Sequence, residues 1–122
     1  MDVSFNPDLG WVEGKMTIDG SSVDVVFLPD SSSNITSATK ALKYFESLAM
    51  PEVVEDAKKY AIQSMASDAT EEKELANIRL EGITVYRNNE IEFYFSDNGV
   101  FGGHTIVVFR KQDAFILCTL EG

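Results

Sequence analysis

The chain has little with which to do covalent chemistry: its 122 residues include one cysteine, one histidine and one tryptophan. A lone cysteine cannot close an internal disulfide. Cys118 sits in an apolar stretch, where it reads as a small core residue rather than a reactive thiol, and a reducing cytoplasm is the expected compartment. Metal ligation needs three or four converging donors, and nucleophilic catalysis needs an activated Ser, Thr or Cys beside an oriented base. Neither pattern is evident in the sequence, and no cofactor or metal is expected. Positive charge is scarce as well: ten Lys and Arg stand against twenty Asp and Glu, a formal net charge of -10. That balance opposes binding to nucleic-acid phosphates and anionic membranes and leaves a basic protein as the natural complement. No uncharged apolar run approaches the roughly 20 residues that span a bilayer, and no charged-then-apolar start resembles a signal peptide. A soluble intracellular protein is the expectation.

What the chain does have is periodic apolar patterning. A hydrophobic content of 44% over 122 residues suits one domain, 1–122, that buries a core without disulfides or metal. Trp11 to Ile18 and Ser21 to Leu28 form a predicted hairpin around Asp19-Gly20, a dipeptide that tolerates the positive φ angles of a type I′ turn. Val12, Met16 and Ile18 alternate with Glu13, Lys15 and Thr17, and Val23, Val25 and Phe27 keep the same period, so one face should be buried. Pro29 to Ser33 ends the hairpin, and Ser33 or Asn34 can cap a helix with apolar positions Ile35, Ala38, Leu42, Phe45 and Ala49. Pro51 suits the first turn of a second helix, Pro51 to Ala66, with Val54, Ala57, Ala61 and Met65 inward; so tight a junction predicts an antiparallel pair. After the break Ser67-Asp68, the acidic run Thr70 to Glu74 favours a short third helix that ends before Arg79. Strands are predicted at Leu80 to Tyr86 and Glu90 to Phe95 around Arg87-Asn88-Asn89, then at Thr105 to Phe109 and Ala114 to Leu120 around the charged turn Arg110 to Asp113.

The order is ββ, three helices, ββββ. Segregated helices and hairpin-linked strands predict an α+β fold, an antiparallel sheet with the helices packed on one face against Val12, Met16, Ile18, Ile91, Phe93 and Phe95, rather than a parallel nucleotide-binding sheet. In the last two strands both faces are apolar: Ile106 and Val108 against Val107 and Phe109, then Ile116, Cys118 and Leu120 against Phe115 and Leu117. Such strands are either central or have a second face covered by a partner.

Each candidate site has a structural reading beside the chemical one. His104, next to Gly102 and Gly103, has the residue type for acid, base or ligand roles, but a lone loop histidine more often satisfies local hydrogen bonds. Asp97-Asn98-Gly99 resembles part of a calcium loop without the spaced acidic ligands and closing Glu, which favours a turn. Glu90 and Glu92 share one side of a strand, and their alternation with Ile91 and Phe93 reads as a solvated face. The glycines from Gly99 to Gly103 lie between strands, with no P-loop lysine and no following helix to bind phosphate. Trp11, opening a strand, is either half-buried core or a recognition aromatic. The carboxylates Glu52, Glu55, Asp56, Asp68, Glu71, Glu72 and Glu74 form either a solvated helical face or the place where a basic protein docks.

The segment Leu9-Gly10-Trp11-Val12-Glu13-Gly14, the strand Val23-Asp24-Val25, a helical middle, and then Leu80 to Tyr86, Ile91 to Phe95, Phe101 to Val108 and the close Leu120-Glu121-Gly122 resemble an uncharacterised bacterial domain family. Members of that family occur among the immunity proteins of polymorphic and contact-dependent toxin systems. The resemblance implies a non-enzymatic cytoplasmic protein that binds and neutralises a cognate toxin. A nuclease-type toxin, with a basic cleft, would complement the charge of this chain. On that reading the toxin-facing candidates are Glu52, Glu55, Asp56, Glu71, Glu72 and Glu74, with Trp11, Phe101 and His104. The rivals are a small enzyme using His104 with a nearby carboxylate, and a scaffold or binding protein unconnected with toxins; the sequence carries no signal of oligomeric state.

Overall fold

Apolar residues at every second position make strands that are half-buried, and the helical stretch between them supplies what buries that face. The computed structural model describes residues 2–28, 35–86 and 88–122, with the side chains of all of these except 35–37. In chain order the elements are β1 (Val3–Asn6), β2 (Trp11–Ile18), β3 (Ser21–Phe27), α1 (Ile35–Glu46), α2 (Met50–Met65), α3 (Ala69–Leu75), β4 (Arg79–Val85), β5 (Glu90–Ser96), β6 (Thr105–Lys111) and β7 (Ala114–Glu121). The expected α+β order is present, with the short β1 ahead of it. The break Pro29 to Ser33, the cap by Ser33 or Asn34, the Ile35 side chain and Arg87 of the β4–β5 turn lie outside what is described.

All seven strands form one sheet in sequential order. Neighbours are antiparallel except β3 and β4, where Asp24 to Phe27 pairs in parallel with Gly82 to Val85. The expected antiparallel sheet is therefore mostly so, and this central pair is the departure. The reason is topological: a hairpin reverses the chain, whereas a helical crossover returns it to the end from which the previous strand began.

α1 lies over β2, β3 and β4, and α2 over β6 and β7. Ala38, Ala41 and Phe45 of α1 and Met50, Val54, Ala57 and Ala61 of α2 meet Val12, Ile18, Ile91, Phe93 and Phe95 in one core, with Met16 partly buried against it. Phe27, Phe93 and Phe95 are fully buried, each contributing about 2 kcal/mol of transfer free energy. Ala49, expected inside α1, is instead the exposed N-cap residue of α2, because α1 closes at Glu46. Leu75 and Ile78 anchor the end of α3 in the core.

The last hairpin differs most from its pattern. Arg110, expected in the turn, belongs to β6 and is 8% exposed. Its guanidinium donates to Tyr44 Oη of α1 (2.6 Å) and approaches Asp113 (3.5 Å), so the turn narrows to Gln112-Asp113. β7 is an edge strand, not a central one. A bulge leaves Ile116 without a partner, while Phe115 pairs with Arg110 and Leu117 with Phe109. The extra residue shifts the alternation, so Phe115 shares the helix-covered face with Cys118 rather than opposing it. There Phe115 stacks on Tyr60 of α2 at 5.5 Å and lies 6.3 Å from Phe93.

Candidate functional site

The densest charge sits on α2 and α3, for local reasons. Pro51 and Glu52 stand in the first turn of α2, where proline fits the helical φ and a carboxylate favours the positive end of the helix dipole. α3 starts with a cap made from both sides, Asp68 being the N-cap residue. Asp68 Oδ1 accepts the backbone N–H of Glu71 (2.8 Å), and Glu71 Oε1 accepts the backbone N–H (2.9 Å) and hydroxyl (2.8 Å) of Ser67. Glu71 is thus half-buried and holds its own helix start, while Glu52, Glu55, Asp56, Glu72 and Glu74 are exposed. None of these five is in an ion pair among the described residues. Glu52, Asp56 and Tyr60 follow at intervals of four and form one stripe of α2.

The loop from Asp97 to His104 is organised by one side chain. Asn98 and Gly99, both at positive φ (55° and 78°), turn the chain so that the Val100 N–H reaches the Asp97 carbonyl at 3.0 Å. The Asp97 carboxylate, 1% exposed, accepts the backbone N–H of Gly99 (2.8 Å), Phe101 (3.0 Å), Gly103 (3.1 Å) and His104 (2.9 Å). Burial by itself raises a carboxyl pKa; the four amides together outweigh it, and the pKa is held below its ordinary value. This is a turn whose carboxylate is already filled with donors. No cluster of three or more His, Cys, Asp and Glu that could hold a metal occurs among the described residues. His104 Nδ1 lies 2.7 Å from the Phe101 carbonyl. A carbonyl can only accept, so Nδ1 carries the proton in this contact. Asp97 meets the backbone of His104, not its ring, and no imidazole–carboxylate pair forms between them.

The sheet face without helices holds a second polar cluster, which sequence reasoning missed. Glu90, half-buried, pairs with Lys111 at 3.7 Å. Glu92, expected on a solvated face, is half-buried and accepts the hydroxyls of Tyr86 and Tyr94, the latter at 2.9 Å. Tyr94 Oη is also 2.9 Å from Thr84 Oγ1. Burial first, and then the nearby Glu92 charge, push the Tyr86 hydroxyl pKa well up and that of Tyr94 to about 12, although the Thr84 contact acts the other way on Tyr94. The signal lies in the pairing of Thr84 with Glu92, with a tyrosine two residues beyond each; it emerges only once the hairpin register is fixed. Trp11, half-buried on the same face, donates its indole N–H to Glu13 (2.9 Å), whose other oxygen accepts from Asn6 (3.3 Å).

The candidate residues do not converge on one point. Trp11 stands near the sheet end that carries the β4–β5 and β6–β7 turns, whereas Phe101 and His104 stand at the opposite end, near the β2–β3 turn. Phe101 packs partly against the core. Glu55 lines a cleft of about 550 Å³ at that second end, together with Asn98, Asp19, Lys58 and Arg79. Cys118 is half-buried, and burial pushes its thiol up to about 11, away from the reactive thiolate. No helix among the described residues is long and apolar enough to cross a membrane.

Residues 47–119, more than half of the chain, match a family described as "Uncharacterized protein conserved in bacteria (DUF2262)". The match takes in α2, α3, β4 to β6, the Asp97 loop and most of β7, and leaves out β1 to β3 and α1. An uncharacterised bacterial family is what the resemblance implies; a toxin system is no part of that description. No curated protein and no solved structure matches the chain.

Proposed function

Since the chain belongs to DUF2262, a family of uncharacterised proteins conserved in bacteria, we propose that it is a bacterial immunity protein, a stoichiometric cytoplasmic inhibitor of a cognate basic toxin of nuclease type. The observation that carries this reading is the set of exposed carboxylates on α2 and α3, unpaired among the described residues, in a chain of net charge -10. Exposed like charges outside ion pairs repel one another and, beyond the helix-dipole contact of first-turn residues such as Glu52, add little to the fold. They do raise the rate at which a positively charged cleft finds them, and once docked they replace the phosphates that such a cleft is built to hold. The lone histidine, hydrogen-bonded within its loop, needs no part in this. Inhibition then requires occupancy and no turnover.

Co-expression is the direct test. The toxic C-terminal domain of a large secreted protein encoded beside this one should be neutralised, with restored growth and a one-to-one complex. A His104→Ala variant should protect equally well. Failure to bind such a domain, or protection lost in that variant together with a measurable turnover, overturns the reading. The charge argument has its own measurement. Glu52→Lys, Asp56→Lys and Glu72→Lys together should slow association about tenfold at low salt, within the range of electrostatic steering. The gap should narrow as the Debye length falls below about 8 Å. Equal association rates for variant and parent at both low and high salt remove the acidic surface from the interface.

A further inference from the structure

We propose that β7 is a docking edge, taking one extended basic segment of the toxin as an added strand alongside Leu117 to Glu121. This rests on the inhibitor reading and names the surface that reading leaves open. β7 closes one side of the sheet, so every second residue turns an unpaired N–H and C=O outward, a template for another strand. Sheet edges are commonly blunted by shortness, lysine, proline or a bulge. The opposite edge, β1, is only four residues long. β7 has eight, with no Lys, Arg or Pro, and its one charge is Glu121. Its apolar side chains are open: Ile116 is 57% exposed, Leu117 49% and Leu120 40%. The bulge at Ile116 confines regular pairing to the stretch from Leu117 onward. On that stretch lies Thr119 Oγ1, a buried polar atom without a hydrogen-bond partner among the described residues.

Charge selects the occupant. α2 packs beside β7, with Tyr60 stacked on Phe115. Asp56 and Glu52, exposed, continue the Tyr60 stripe one and two turns away, and Glu121 ends the strand. Leu117 and Leu120 lie on opposite faces of β7, Leu120 on the helix-covered one. A strand alternating apolar and basic residues, with its apolar groups against Leu117, turns its cations to the helix-covered face that carries Asp56 and Glu52. A second copy of this chain brings its own acidic flank to the same place, and like charges brought together oppose the pairing.

The intact protein, isotopically labelled, should be titrated with a capped octapeptide alternating valine and lysine, and separately with its valine–glutamate counterpart. Amide shifts and slowed hydrogen exchange should centre on residues 117–121, with the glutamate peptide at least tenfold weaker. Leu117→Lys should weaken the lysine peptide at least tenfold, and Leu117→Glu much less, both with an unchanged urea midpoint; Ile116→Lys, in the bulge, serves if Leu117→Lys disturbs the fold. Shifts confined to α3 or the Asp97 loop, equal binding of both peptides, or self-association of the free protein through β7 overturn the proposal. Toxin binding separates the two readings. A toxin that binds Leu117→Lys as tightly as the parent removes β7 from the interface and leaves the inhibitor reading intact. A parent protein that takes the lysine peptide at β7 but binds no toxin removes the toxin as occupant and the inhibitor reading with it.

Discussion

Asp97 and Glu92 stand five residues apart along the chain, and both carboxylates are held by hydrogen bonds, yet their donors differ in kind. Asp97 is fed by four backbone amides, and Glu92 by two tyrosine hydroxyls, one from the residue just past the neighbouring strand and one from its own strand. Amides are fixed to the main chain, so filling Asp97 sets the path of the whole loop from Gly99 to His104. Hydroxyls sit at the ends of side chains on strands that the sheet ladder already holds. The first carboxylate is a folding device for a segment with no ladder of its own, and the second satisfies a polar cluster on a surface that exists without it.

The largest effect should come from Asp97→Ala, which leaves several amides without their acceptor. Hydrogen bonds to a charged group are worth about 1.5–3 kcal/mol each and overlap here, so a loss of about 3 kcal/mol in urea unfolding is expected. A loss below about 1 kcal/mol removes the distinction between the two carboxylates. Asp97→Asn keeps one acceptor oxygen but sets an amide group against N–H donors, and should lose about 2 kcal/mol. Acid sharpens the same point. The folded Asp97 pKa is depressed, so its contribution is present above the unfolded value of about 3.9 and is lost as pH falls through the lower folded value. The stability gap between parent and Asp97→Asn should therefore shrink on acidification, and a gap that stays constant down to the acid transition contradicts an ionised hub.

Glu92→Gln should have a smaller effect, about 1 kcal/mol, since the hydroxyls keep an acceptor and are partly solvated. Its clearer signature is spectroscopic. The Tyr94 pKa, raised from 10.0 to about 12, should fall back when the negative neighbour is removed, read by ultraviolet titration. A raised tyrosine pKa gives stability that is whole below the unfolded value and is lost as pH rises through the folded one. The parent should thus weaken in the alkaline range more than the variant. The smallest effect expected is that of His104→Ala, about 0.5–1 kcal/mol, the loss of one ring contact to the Phe101 carbonyl.

What could be read in advance was local. Asp19-Gly20 adopts φ of 50° and 79°, as a type I′ turn requires, because that preference belongs to the two residues themselves. The apolar face of α2 followed from spacing alone, and its buried residues Val54, Ala57 and Ala61 are among those the spacing picks out. The Asp97 hub was legible only as a turn. That its carboxylate gathers amides as far along as His104 depends on how the loop closes, and adjacent letters carry no record of closure. Among the site candidates, Glu71 shows the same limit: a helix cap and an exposed acidic face use the same residues, and only the position of Ser67 separates them.

The sequence by itself determined the three helices and every strand except the short β1, the turns of the hairpins apart from the extent of the last one, and the sign of the surface charge, since each depends on period, on turn chemistry or on a count. Only the tertiary structure decided that β3 and β4 run parallel, that Arg110 is buried against Tyr44, that Glu92 is bound by tyrosines, and that the apolar strand from Ala114 to Glu121 lies at an edge. Each of these depends on which distant segment arrives beside a residue. An apolar strand has the same alternation whether neighbours flank it on both sides or on one, so its letters could not say that the outer side of β7 is open.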